Sequence, residues 1–142
     1  MKAGGIFTAF DVSASALRAE RARMNVHANN LANINTTRDK DGNLEPYRRQ
    51  FVRFREGAPE ITGSERWGVS VAAVESDYET DFILRYDPGH PDANEQGYVA
   101  YPNVQVAVEM VDMMMSQRAY EANLTAIETA KQMHRGALQI IA

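Results

Sequence analysis

The chain carries three histidines, His27, His90 and His134, and no cysteine. Histidine titrates near neutrality and is the commonest metal ligand, so acid–base or metal chemistry would start at these positions. Their spacing supports neither. No His-Glu-x-x-His or Glu-x-x-His segment occurs, and there is no thiolate, so a zinc or di-iron site has no ligand spacing behind it. His27 and His134 could face each other across a helix pair, but exposed or interfacial polar roles fit them better. His90 stands in Asp87-Pro-Gly-His-Pro-Asp92, a turn sequence before anything else.

Other chemistries fare no better. Asp39-Lys-Asp-Gly-Asn43 resembles part of a calcium-binding loop. Aligning Gly42 with the required glycine puts Thr37 at the first ligand position and Arg48 at the last, so both essential carboxylates are missing and a hairpin turn is expected. The serines lie in no Gly-x-Ser-x-Gly context, and no glycine-rich phosphate loop occurs. Asn35-Thr-Thr37 and Asn123-Leu-Thr125 match the glycosylation sequon, a match short enough to arise by chance. Arg48, Arg49, Arg53 and Arg55 interleave with Tyr47, Phe51 and Phe54, as in a nucleic-acid surface. Glu56, Glu60 and Glu65 follow at once, so a solvated strand face or a polar subunit contact is the better reading. No catalytic, cofactor-binding or metal residue emerges, and no small-molecule substrate is expected.

The elements that hold these residues are more informative. The 142 residues suffice for one modest domain, and 44% apolar with 24% charged residues is the globular range. A net charge of −4 argues against general nucleic-acid binding, where phosphate neutralisation dominates affinity. Asp11 interrupts the N-terminal segment before an apolar run long enough for a cleavable leader. No stretch approaches the roughly 20 apolar residues that span a bilayer. The chain is therefore expected to be cytosolic, or exported by a route that does not read a cleaved signal peptide.

Three zones divide the chain. All five prolines lie between Pro46 and Pro102, and the single tryptophan is Trp67. Residues 37–100 hold 8 bases and 13 acids, whereas the two ends are nearly balanced and carry little punctuation. Residues 1–36 and 101–142 are expected to form a terminal helical domain, and 37–100 a β-and-turn middle region. In the first helix, about residues 6–34, Phe10, Leu17, Met24 and Leu31 recur every seven residues, the narrow seam of a coiled coil. In the last, about 103–141, a 3-4 alternation runs through Val106, Met110, Met113, Gln117, Tyr120, Leu124, Ile127, Lys131, His134, Leu138 and Ile141, with Asn103 as N-cap. Gly136 is a candidate for close backbone approach. Met113-Met114-Met115 covers most of a helix circumference, so at least one thioether must leave the seam, either to fill gaps or to touch a second partner. Strands are expected at 47–54, 69–74 (Val69, Val71 and Ala73 on one face) and 82–86 (Phe82, Leu84 and Tyr86 on one face), in one small sheet. The fold class is α+β: long N- and C-terminal helices pairing as a coiled-coil-like unit around a small β-rich insert. Each seam needs a partner, because propensity alone stabilises an isolated helix little.

Asn25, Asn29, Asn30, Asn33 and Asn35 crowd the end of the first helix. Buried amides there would fix helix register, while exposed ones would mark a fraying end or C-cap. The segment Met24-Asn-Val-His-Ala-Asn-Asn-Leu-Ala-Asn33 resembles the N-terminal signature of bacterial flagellar rod and hook proteins. Tyr86-Asp-Pro-Gly-His-Pro-Asp92, Gly97-Tyr-Val-Ala-Tyr-Pro-Asn-Val104, Glu109-Met-Val-Asp112 and Arg118-Ala-Tyr-Glu-Ala-Asn123 look like the C-terminal part of the same family's rod members, and Pro46-Tyr-Arg48 fits their mid-chain segment. The resemblance covers nearly the whole chain and is weakest at 57–68.

The resemblance to the flagellar basal-body rod family implies a structural subunit that polymerises through its terminal helices. It would help build a drive shaft that crosses the periplasm, carries torque and surrounds the export channel, so supporting motility. Implied partners are other copies of the chain, other rod proteins and the flagellar type III export apparatus, with no membrane span. Periodicity supplies Phe10, Leu17, Met24, Leu31, Met110, Met113, Tyr120, Leu124, Ile127, Leu138 and Ile141 as expected packing or assembly positions, and the family segments add Asn30, Asn33 and Asn123. A rival reading is a helical adaptor or export chaperone using the same seams.

Overall fold

Two long helices dominate the computed structural model, which describes residues 5–58 and 67–141. Helix α1 spans Gly5–Ala32 and α2 spans Val106–Ile141. Between them lie β1 (Gln50–Glu56), β2 (Val69–Ser76), β3 (Ile83–Tyr86) and β4 (Tyr98–Tyr101). This is the expected α+β arrangement, with the terminal helices packed on each other. His27 meets Glu109 and Arg23 meets Ser116, so rising numbers on α1 match falling numbers on α2 and the pair is antiparallel. α2 has 36 residues against 28 in α1, an excess of about two turns, or roughly 12 Å.

Both helices end near the expected positions for reasons the side chains give. The Asn33 backbone N–H and its Nδ2 both donate to the Asn29 carbonyl, and Thr36 N–H donates to the Asn33 carbonyl. α1 is thus closed by an amide cap in an ordinary right-handed backbone. α2 starts at Val106, three residues after the expected cap. Asn103 is not the N-cap: its Oδ1 accepts from Arg49 N–H at 2.8 Å, and its Nδ2 donates to the Asp77 and Thr80 carbonyls. Gly136 has nothing within 4 Å of a would-be Cβ, so it serves no close approach among the described residues.

The strands form two antiparallel two-stranded sheets rather than one. In β1–β2, Arg53 pairs with Ala73 and Phe54 with Val71, leaving Ala72 as a bulge. Val69, Val71 and Ala73 remain half-buried, as the alternation predicts, and the hairpin lies on α1. In β3–β4 the expected face divides: Phe82 is half-buried, but Leu84 and Tyr86 are 67% and 64% exposed and no residue of β3 is buried, so burial falls on Val99 and Tyr101 of β4, which pair with Arg85 and Ile83. A two-stranded sheet can cover one face only, and the β4 residues occupy it.

Two turns expected from Asp-Gly and Pro-Gly are present. Asp39 accepts from Asp41 N–H, Asn43 N–H and Asn43 Nδ2, which closes the Asp-Gly turn with local donors. His90 N–H donates to Asp87 O, closing the Pro88-Gly89 turn.

The hairpin is seated on α1 at one tight point. Ser15 Oγ donates to Val12 O at 2.6 Å and accepts from Val69 N–H at 3.1 Å. A Cβ at Gly68 would fall 2.5 Å from that Oγ, and Gly68 has φ +87°. Gly42 has a similar φ of +84° but open space around it. Gly68→Ala should therefore cost about 1–2 kcal/mol more than Gly42→Ala in urea unfolding, because only the first adds a collision to the shared backbone strain. Equal losses would mean the seat is not tight.

Candidate functional site

The interior of the helix junction is polar. Glu109, Asn30 and Ser116 are fully buried, with Ser15, Asn103 and His27 close behind. On a helix turning about 100° per residue, Glu109, Ser116 and Asn123 fall within about 40° of one another, and that row faces α1. On α1 the matching ridge is Ser15, Ala19, Val26 and Asn30, of which Ala19 and Val26 are the buried apolar members.

Glu109 is the centre. Its Oε2 accepts from His27 Nδ1 at 2.6 Å and from Asn30 Nδ2 at 3.0 Å, and its Oε1 accepts from Arg49 Nε at 2.5 Å. With the carboxylate ionised, Nδ1 of His27 must carry the hydrogen. Burial alone would push the Glu109 carboxyl up. The bonds from Asn30, His27 and Arg49, with the Arg49 charge, outweigh that and hold it below the usual glutamate range. Burial and the Glu109 charge push the neighbouring Tyr47 phenol up.

Asn30 spends its whole amide. Nδ2 donates to Gln50 O at 2.7 Å and to Glu109, while Oδ1 accepts from Gln50 N–H and Tyr47 OH, both at 2.9 Å. The side chain pairs with the Gln50 backbone as a neighbouring strand would, tying β1 to α1. Arg49 reaches Glu109 from the same segment and lies 3.7 Å from Asp112. One level along the helices, Arg23 Nε donates to Ser116 Oγ at 2.8 Å, and the guanidinium stands over the Phe54 ring.

The expected packing positions separate into groups. Asn30 is fully buried, and Phe10, Leu17, Met24, Leu31, Asn33, Met113, Tyr120, Asn123 and Ile127 are half-buried. Met110, Leu124 and Leu138 are exposed, at 53%, 42% and 53%. The side chain of Ile141 lies outside the described residues. Of the triple Met, Met114 and Met115 point to solvent. His27 meets Glu109 rather than His134. The arginine run also divides: Arg53 pairs with Glu75 across the hairpin as a strand face should, but Arg49 turns inward and Arg48 stacks on Phe82 and Tyr78. Sequence reasoning did not single out Glu109 as a site. Its signal was a lone acid at the start of an apolar helix, with His27 and the Asn cluster as possible donors at the other end. Among the described residues no three acidic or histidine side chains gather as a metal site would require, and no helix is long and apolar enough to cross a membrane.

This geometry holds two chain ends in register and contains no obvious reacting centre. Residues 10–38 match the family model described as flagella basal body rod protein, and 95–140 match that of the flagellar basal body rod FlgEFG protein C-terminal. The chain is 44% identical to the flagellar basal-body rod protein FlgC of Bacillus subtilis, across 94% of this chain and 97% of that one. It is 40% identical to FlgC of Borreliella burgdorferi across 96% and 98%, and 42% identical to FlgC of Salmonella typhimurium across 87% and 89%. The chain belongs to the FlgC family of flagellar basal-body rod proteins. Both family models fall on the two helices and their immediate flanks, which includes Asn30, Asn103 and Glu109.

The amide at position 30 gives a sharp test. Asn30→Asp keeps the shape but sets oxygen against the Gln50 carbonyl and the Glu109 carboxylate. It should cost about 3 kcal/mol or more in denaturant unfolding, whereas Asn25→Asp on the exposed side of α1 should stay within about 0.5 kcal/mol. A tolerated Asn30→Asp would show that the junction does not depend on this amide.

Proposed function

We propose that the chain is a non-enzymatic structural subunit of the flagellar rod that assembles through the outward faces of its terminal helices. Residues 1–36 and 101–142 form its axial part and 37–100 its outer part. The shaft so built carries torque and surrounds the export channel, and the subunit reaches it through the type III export apparatus without cleavage of a signal peptide.

The observation that carries this reading is an inverted helix. α2 turns Glu109, Ser116 and Asn123 toward α1 and leaves Val106, Val108, Met110, Val111, Met114 and Met115 45–60% exposed. Contiguous apolar surface of that kind marks an assembly surface, and thioethers adapt to neighbours of more than one shape. Contacts between unlike surfaces of successive copies propagate as an open helix rather than closing as a dimer. The described apolar core is correspondingly thin, with Ala19, Val26, Ala58, Val99, Tyr101 and Val104 as its buried members.

Because Met114 is exposed, Met114→Asp should leave the purified chain within about 0.5 kcal/mol of the parent in unfolding. In cells lacking the native gene, the same variant should fail to restore swimming and should be missing from isolated basal bodies. Normal swimming would overturn the reading. A wild-type chain absent from basal bodies, yet needed for motility, would favour the adaptor or chaperone instead.

A further inference from the structure

The Glu109 side chain is 0% exposed, and what neutralises it comes from other segments of the chain. From α1 come His27, itself 6% exposed, and the Asn30 amide. From the segment entering β1 comes Arg49, with the Tyr47 phenol behind Asn30. Two further acids face Arg49 rather than Glu109: Asp112 of α2, 38% exposed and 3.7 Å away, and Asp77. His27 and Arg49 bind different oxygens of the one carboxylate, so the acid separates two groups that are both cationic when His27 is protonated. We propose that this cluster is an acid-operated latch: protonation of Glu109 removes the buried charge that the Arg49 cation and the His27 and Asn30 donors are arranged to hold, and α1 is released from α2.

The chemistry follows from burial. A buried carboxylate that accepts from Arg49, His27 and Asn30 is a tolerable interior group, and a neutral acid in the same place leaves the Arg49 charge without its buried counter-ion. Arg49 is then left with two weaker, solvent-facing acids, Asp112 at 3.7 Å and Asp77. The Asn30 amide still holds Gln50, so release parts the two helices and leaves β1 on α1.

The direction of the pH effect is fixed by the same contacts. With helices paired, hydrogen bonds and the Arg49 charge hold the Glu109 carboxyl below its ordinary value despite burial. With helices apart it returns to about 4.3. The separated state therefore binds the proton more tightly. Pairing has its full Glu109 contribution above about pH 4.3 and loses it as pH falls through the lower, paired-state value. Across that window the ratio of separated to paired molecules rises about tenfold per pH unit on account of this one proton. Asp39, Asp77 and Asp92 are also held low, but their partners lie in loops and none joins α1 to α2.

The absence of cysteine allows clean labelling. Spin labels on Arg21→Cys and Gln117→Cys, both at exposed positions, report the helix separation in the purified full chain by pulsed electron resonance. One narrow distance is expected at neutral pH, with a longer and broader distribution at about pH 3.5. Adding Glu109→Gln should abolish that change, and adding Asp92→Asn should leave it in place. An unchanged distance in the acidified parent would overturn the proposal whether or not the Glu109→Gln protein folds. So would an acid transition of equal steepness in Glu109→Gln. The latch concerns the helix pair used by the proposed assembly but is read on the isolated chain. A swimming Met114→Asp strain would sink the rod reading and leave the latch standing, while a pH-insensitive distance would do the reverse.

Discussion

A charged carboxylate buried at a helix crossing constrains everything around it. Removing such an ion from water costs several kcal/mol after relaxation, and only well-placed donors offset that cost. Glu109 therefore dictates what must arrive. A histidine and an amide must come from α1, and a guanidinium from the chain entering β1. Those requirements place Gln50 beside Asn30 and Asn103 beside Arg49, and so set where the first strand starts and how the last helix is entered. The hairpin follows, because its far end must still reach Ser15.

A polar junction also explains the surface. Helix pairs usually bury their large apolar residues against each other and leave polar ones outside. Here the most deeply buried members of the junction are Ser, Asn, Glu and His with Ala19 and Val26, while Met113, Tyr120 and Ile127 are half-buried and most of the large apolar side chains early in α2 are left exposed. Specific hydrogen bonds define one register, whereas apolar surfaces tolerate several. An assembly subunit gains from that division. Its internal geometry is set by bonds that cannot slide, and its apolar faces remain free to fit neighbours of different shape.

The helices were legible in the sequence because periodicity and the confinement of proline to the middle are both strong signals. Which face turned inward was not. Periodicity finds the residues that want burial, and it cannot say whether the same chain or another copy buries them. Met110 and Leu124 lie in the mostly apolar alternation and are exposed, while Glu109 and Ser116 sit outside it and are buried. The crowd of asparagines held both roles that its composition allows: Asn30 is the register-fixing amide and Asn33 the cap. Arg49 was hidden because its neighbours in sequence are ordinary strand arginines, and only a partner 60 residues away distinguishes it. Asn103 looked like an N-cap because it follows a proline, and tertiary demand from Arg49, Asp77 and Thr80 took its side chain first. Val99 and Tyr101 displaced the expected β3 face for a similar reason: a two-stranded sheet buries whichever side meets the rest of the chain.

For a subunit that carries torque, the order in which contacts yield matters more than their sum. Close-packed interfaces resist twist because many side chains must move together, and one that can slip by a residue loses that resistance gradually. The Glu109 junction cannot slip. Any sliding of α1 along α2 breaks the His27 and Asn30 bonds to the buried Glu109 carboxylate and the Arg23 bond to Ser116 at once, so intermediate positions are strongly disfavoured. In the proposed assembly, load reaching one helix through its exposed Met and Val side chains would pass to the other as to a rigid pair, and the deformable contacts would be those between subunits. That hierarchy, stiff inside and adaptable outside, requires the polar residues to be buried and the greasy ones to be exposed.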